Sequence, residues 1–499
     1  MKLRNKIIIT SIAGLSFLGL QSCNNDFLET VPTSSVGDVT ILATADNLMI
    51  AINGMKYFTD TNRFLDQGTY GIQGQMVTID VMGDDIVFPN TGTGWYISEM
   101  RWTSLNNDAS GQVRYFWEFW YKVIKTANDI INQGPKASGD PAVRDQAIGE
   151  AYTYRAYAYY ILNQVYGARY VKGGDNSGPG AVIRLDGTDV SQKARSSVED
   201  GYKQVWADLK QAETLLKGKS LMNKAHFNYN TVKGIQARVA LTQGEWQIAA
   251  DAAAEARKGY SLMSNAQYKS GFNDNSNPEW IWGAIVATPE VADPFAALQG
   301  YLGRNAISSN VRACPKAINI SLFNSFPATD VRTQIIDVTG KANPLGLPAT
   351  YTTTPYTSVK FYLKDPASGI ADTPYMRSAE MYLIQAEALA RLGREGESKA
   401  VFSELEKNRN PSYAGSQSTG DAYVQEILKS RRIELWGEGF RWYDLKRLGL
   451  PLQRNTADGF VPAVINNLVS VPANDSRWLW FIPRQELNTN PLVKQNANQ

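Results

Sequence analysis

Paired carboxylates and clustered aromatics between Gly83 and Asp108 are the residues of this chain whose types and spacing most suggest chemistry. The stretch "GDDIVFPNTGTGWYISEMRWTSLNND" sets Asp84, Asp85, Trp95, Tyr96 and Trp102 among Gly, Asn, Thr and Pro. Long irregular segments of this kind often carry function. Trp95-Tyr96 follows Gly92 and Gly94, so an exposed aromatic platform is expected there. Asp84, Asp85, Asn106, Asn107 and Asp108 stand nearby in sequence as hydrogen-bonding groups. A flat apolar surface rimmed by carboxylates and amides suits a sugar ring, whose C–H face stacks while its hydroxyls pair. A second loop, "LQGYLGRNAISSN", places Tyr301 and Arg304 at the border of a site. The expected ligand contacts are therefore Trp95, Tyr96, Trp102, Asp84, Asp85, Asn107, Tyr301 and Arg304.

Other chemistries find less support. Two carboxylates run glycoside hydrolysis only when they face each other across a cleft, and adjacent residues such as Asp84 and Asp85 do not meet that spacing. The single histidine, His226, beside Phe227 at the start of a helical segment, reads as an ordinary surface or capping residue, and no Gly-x-Ser-x-Gly turn accompanies it. Of two cysteines, Cys23 and Cys314, the first is assigned below to lipidation, which leaves no disulfide framework or cysteine metal site. Asp84, Asp85 and neighbouring Asn oxygens could meet a hard cation, but no converging set is visible. No catalytic residue, metal or cofactor is expected. Charge argues against nucleic acid: with Lys2, Arg4 and Lys6 set aside, 47 basic residues face 48 acidic ones, and no basic block stands out.

These residues need a scaffold, and the rest of the chain describes one built from paired helices. After Tyr375, the residues Ala379, Leu383, Ala386 and Ala390 recur at steps of four, three and four, with Tyr382 and Leu389 on the same face. Gly393 and Gly396 interrupt, and a second helix carries Val401, Phe402 and Leu405. Another pair joins Val232, Ile235, Val239 and Thr242 to Trp246, Ala249, Ala253 and Ala256 through Gly244. A wider version joins Ile148, Tyr152, Tyr159, Leu162 and Tyr166 to Val198, Tyr202, Val205, Leu209, Ala212 and Leu216. A first version pairs Ala45, Leu48 and Ile52 with Val113, Phe116, Trp120, Val123, Ala127 and Ile130. One hairpin cannot hide its apolar stripe and must stack on others. The expected fold is mostly α: a tetratricopeptide-like array of helical hairpins with a loop-rich, mixed second region.

At the start, "MKLRNKIIITSIAGLSFLGLQSC" has a basic head and an apolar run from Ile7 to Leu20, too short for a comfortable membrane span. Cys23 directly after it resembles a bacterial lipoprotein box, which would leave the mature chain anchored by an N-terminal lipid. Residues 1–22 are thus a lipoprotein signal peptide, 23–270 an N-terminal region of hairpins and long loops, and 271–499 a C-terminal region with a mixed insert, the last hairpin and the terminal motifs. Within the N-terminal region, Ser196, Ser197 and Glu199 signal the start of the Val198 helix.

A set of motifs then runs in order along nearly the whole chain: Asp26-Phe27-Leu28 and Pro32 after the cysteine; Arg155-Ala156 with Tyr159, Leu162 and Tyr166-Gly167; Arg238 to Leu241 with Gly244-Glu245-Trp246 and Ala249. Glu279 with Ile281-Trp282 and Lys360-Phe361 follow, then Arg377, Ala379-Glu380, Leu383 and Ala386-Glu387-Ala388. "RRIELWGEGFRWYDLKRLG" and "FIPRQELNTNP" complete it. In these the chain resembles the SusD/RagB family of outer-membrane nutrient-binding lipoproteins of Bacteroidetes. The resemblance implies a tetratricopeptide-like scaffold with a variable, aromatic-bearing loop face that binds oligosaccharides. It implies a partner, a SusC-like TonB-dependent transporter, and a lipid-anchored place on the outer membrane facing the cell exterior. Binding of peptides or glycoprotein fragments, or a mainly structural role as the transporter's lid, are the alternative expectations. The motif residues themselves read as structural, Arg377, Glu380 and Glu387 among them; Glu434, Glu438, Arg441 and Asp444, with Arg431 and Arg432, read as an ion-pair and hydrogen-bond network locking the terminal helix to the array, with Glu434 and Glu438, and Glu438 and Arg441, spaced to share a helix face.

Overall fold

Short polar residues at predictable places start five of the long helices. The computed structural model describes residues 41–286, Asp293, Phe295 and 297–496; Cys23 and the signal segment lie outside them. Thr44 opens α1 (Ala45–Thr61), and α2 (Gly71–Val81) follows. Ser110 caps α3 (Gly111–Gln133), Asp140 caps α4 (Pro141–Tyr166), Ser197 caps α5 (Val198–Leu216) and Asn228 caps α6 (Tyr229–Gln243). In each case a side-chain oxygen accepts a backbone N–H of the first turn that has no helical partner. Gly244, at φ +73, ends α6 and turns the chain into α7 (Trp246–Ala256). The C-terminal helices are α8 (Ser378–Arg391), α9 (Glu395–Arg409), α10 (Gly420–Glu434) and α11 (Arg441–Leu448).

The helices stack in sequence: α3 and α1 on α4, α4 on α5, α5 on α6, α6 on α7, α7 on α8, and α8 on both α9 and α10. Three of the four expected hairpins pair as the periodicity indicates. The first is shared, because α1 packs on α4 as well as on α3. Ala249, Ala250, Ala252, Ala253 and Ala256 are all buried, so α7 can approach neighbours on two sides at little side-chain entropy cost. Helix α2 departs from amphipathic pattern: every one of its residues is buried, and it runs through the centre between the hairpin array and the loop-rich region. Gly71 permits this close approach, since a Cβ there would collide with the Thr59 carbonyl oxygen, and its φ is +47.

Small antiparallel sheets tie the mixed region to the array. Strands β1 (Ile86–Val87), β2 (Trp280–Ala284), β3 (Ala317–Ile318), β4 (Ile336–Asp337), β5 (Thr357–Ser358) and β6 (Thr373–Arg377) form a four-stranded sheet of order β1-β3-β5-β4 and a separate β2-β6 pair. Strand β6 runs straight into α8, with Arg377 at the junction. Trp282 packs among Tyr157, Phe227 and Tyr375. His226 is not a surface residue: it is buried, with Nδ1 3.1 Å from both carboxylate oxygens of Glu150.

Arg377 is the centre of a buried charge cluster. It donates to Glu438 at 2.8 Å, to Glu434 at 3.0 Å and to Glu279. Arg409 bridges the same Glu279 and Glu434 at 2.7 and 3.1 Å, and Lys360 reaches Glu438 at 2.6 Å. A second group joins α8 to its neighbours: Arg238 on α6 holds Glu380, while Arg447 on α11 holds both Glu387 and Asp444, each at 2.7 Å. Arg431 completes it on Asp444 at 2.7 Å. Neither shared helix face expected of Glu438, with Glu434 or with Arg441, forms, although Glu434 and Glu438 meet at Arg377. Helix α10 ends at Glu434, and the chain turns through Gly437 and Gly439 at φ +79 and +85, which sends Arg441 to Asp84 instead.

These pairings set a pH dependence. Arginines hold the carboxyls of Glu387, Glu434, Glu438 and Asp444 below their ordinary values of 4.5 and 3.8. Their contribution is present above those values and is lost as pH falls through the lowered ones, at about 1.4 kcal/mol for each tenfold change in a carboxyl's proton affinity. Asp60 acts with the opposite sign. Burial pushes it up to about 7, so its contribution declines as pH rises from 3.8 to that value. Thermal unfolding followed from pH 8 to 3 is expected to show highest stability near pH 5, a gradual decline from there toward pH 7 and a steep fall below about 4.5.

Candidate functional site

The loop after α2 is anchored by charge before it reaches the surface. Asp84 accepts from Arg441, at 2.5 Å to Nε, and Asp85 accepts from Arg432 at 2.9 Å. Both carboxyls are buried in these ion pairs and are not displayed beside the loop aromatics as expected from sequence. The reason is distance in the chain: the arginines that claim them lie some 350 residues downstream. Trp102 also turns inward. Its indole N–H donates to the Met82 carbonyl at 3.0 Å, and its ring meets Trp478 edge-on with centroids 4.8 Å apart. Trp478, Trp442 and Trp480 continue this indole stack and seal the C-terminal segment onto the fold. Asn107 is exposed but stands apart, accepting from the Ala109 amide in the turn before α3.

Trp95 is placed differently. It is half-buried, and its ring lies over Gly68, where an added Cβ would come within 3.2 Å of it. Tyr96 takes a left-handed backbone (φ 60) that turns its ring inward, with its hydroxyl donating to the Gly68 carbonyl at 3.0 Å. Tyr301, from the short helix Leu298–Leu302, meets both rings edge-on, at 6.2 Å from Trp95 and 4.6 Å from Tyr96. Tyr96 and Tyr301 are therefore buried supports of Trp95 rather than part of an exposed platform. The loop is stapled to the segment that follows Tyr301: Asn90 donates to the Ala313 carbonyl at 3.1 Å, and the buried Cys314 thiol donates to Asn90 at 3.2 Å.

Arg304 follows on the same segment. Its backbone N–H donates to the Phe361 carbonyl at 2.9 Å, and the residue lines a cavity of about 200 Å³ together with Asp337, Lys341, Pro344, Pro348 and Tyr351. The Tyr351 hydroxyl donates to the Ala306 carbonyl at 3.3 Å, joining the two loops. Sequence reasoning missed Tyr351 and the loop from 337 to 353. Its signal was the close spacing of Pro344, Gly346 and Pro348, which marks an ordered turn-rich excursion. The site is thus one half-buried indole edge-on to Tyr301, which Tyr96 backs, with a preformed polar cavity in the adjoining loops. Among the described residues no helix is long and apolar enough to cross a membrane.

Stacked helical hairpins carrying a loop-built aromatic and polar surface define a helical-repeat binding scaffold. The chain belongs to the SusD family, whose model matches residues 246–498; a second model, described as starch-binding and associating with the outer membrane, matches residues 51–241. SusD-like protein P2 of Formosa agariphila is 25% identical, over 87% of this chain and 89% of its own length. A crystal structure of a SusD-like carbohydrate binding protein from Bacteroides vulgatus is similar at a TM-score of 0.79 and 23% identity, covering 92% of this chain and 98% of that one. A SusD superfamily protein from Bacteroides thetaiotaomicron matches equally well in fold, at a TM-score of 0.79 with 91% of this chain covered.

Proposed function

We propose that this protein is a glycan receptor of an outer-membrane uptake system. Cys23 carries its lipid anchor, the loop face points to the cell exterior, and bound oligosaccharide passes to a SusC-like TonB-dependent transporter. It binds without catalysis: the adjacent Asp84 and Asp85 are held by arginines, so they are not a pair of carboxylates facing a bond. The observation that carries this reading is Trp95, held half-buried and edge-on to Tyr301 in a chain of the SusD family. An indole so supported loses little freedom when a sugar stacks on it. Titration with a panel of oligosaccharides, followed by tryptophan fluorescence, is expected to give a saturable change with at least one glycan. Silence across the whole panel would remove the proposal.

A further inference from the structure

Of the eight buried arginines among the described residues, six face a carboxylate: Arg155, Arg238, Arg332, Arg377, Arg409 and Arg431. Arg454 has none, yet its guanidinium donates to four backbone carbonyls, those of Val81, Met82, Gly83 and Met100. Arg304 has neither arrangement. It is 6% exposed, its Nη2 donates to the Thr352 carbonyl at 3.0 Å, and its Nη1 has no partner. The acid lining the same cavity, Asp337, is engaged in its own turn, accepting from the Thr339 hydroxyl and the Ala342 amide at 3.1 Å each. A buried cation with no carboxylate in direct contact is unfavourable, and burial pushes the pKa of Arg304 down, with the more distant Asp337 only partly opposing it.

The cavity beside it is preformed. The Asn343 side chain donates to the Leu347 carbonyl at 3.1 Å and accepts from the Leu347 amide at 2.6 Å, closing the loop that makes its wall. Lys341 stands exposed at the rim, so Arg304 and Lys341 outweigh Asp337 in charge. A guanidinium N–H without a partner can pair with a carboxylate or sulfate oxygen.

We propose that this cavity takes an oxyanion substituent of the bound glycan, a uronate carboxylate or a sulfate ester, with Arg304 as its charge partner. The inference rests on the glycan reading above and names the class of glycan. Two matched pairs of probes test it: short polygalacturonate oligomers against their methyl esters, and a sulfated galactan oligomer against its desulfated form. The charged member of at least one pair is expected to bind about tenfold tighter than the neutral one, a preference that shrinks as salt is raised. Which pair shows the preference tells carboxylate from sulfate. Arg304→Gln is expected to abolish the preference, so that the charged and neutral members of each pair bind alike. If neutral oligomers bind as well as charged ones, the oxyanion proposal falls and the glycan reading stands; if no glycan binds at all, both fall. A preference that survives Arg304→Gln overturns the role of Arg304. Should that variant fail to fold, Lys341→Glu at the exposed rim takes its place, and an undiminished preference there overturns the proposal.

Discussion

Arg377→Met lowers folding stability by about 3–5 kcal/mol, the expected cost of leaving buried carboxylates without their cation. Methionine keeps much of the side-chain volume, so the loss reports charge rather than a cavity. Glu279, Glu434 and Glu438 would all lose a direct partner, and the first two are shared with Arg409, so the defect spreads through the cluster. The cluster joins β2, β6, α9 and the end of α10, and its loss would loosen the seam between the mixed region and the last hairpins. Urea unfolding at pH 7 measures this, with Arg394→Ala as the control. Arg394 pairs with Glu397 at 2.6 Å, but both side chains stand in water, and its removal should leave the unfolding midpoint essentially unchanged. A loss of under about 1 kcal/mol for Arg377→Met would show that the cluster relaxes or hydrates on substitution.

Trp95→Ala and Trp102→Ala, seven positions apart, should fail in opposite ways. Trp95→Ala is expected to weaken glycan binding by about 2 kcal/mol, roughly thirtyfold, with the unfolding midpoint little changed. Trp102→Ala is expected to cost about 3–5 kcal/mol of stability, because it opens a cavity against Trp478 and leaves the Met82 carbonyl without its donor. At temperatures where it stays folded, its glycan affinity should match that of the parent chain. Isothermal titration together with urea unfolding separates the two outcomes. Equal binding losses in both variants would contradict the placement of Trp95 as the contact.

Both expectations turn on a distinction that loop composition cannot make. Trp95, Tyr96 and Trp102 look alike as residues of a Gly- and Asn-rich segment. Their fates depend on Gly68, Tyr301 and Trp478, which are distant in the chain. The hairpins, by contrast, were legible because their evidence is local: a 3.6-residue apolar period, a capping Ser or Asn, a glycine at the turn. Helix α2 escaped this reading because burial on all sides erases the periodic contrast.

What the sequence by itself determined is the helical array, its capping and turn residues, and the motifs by which the chain resembles its family, since each is written in neighbours a few positions apart. What only the tertiary structure decided is which acids and aromatics remain available. Asp84 and Asp85 are claimed by arginines from the far end of the chain, while Arg304 finds no such partner. Ion pairing and stacking act through a few ångströms of space, and it is the fold that brings those distant residues together.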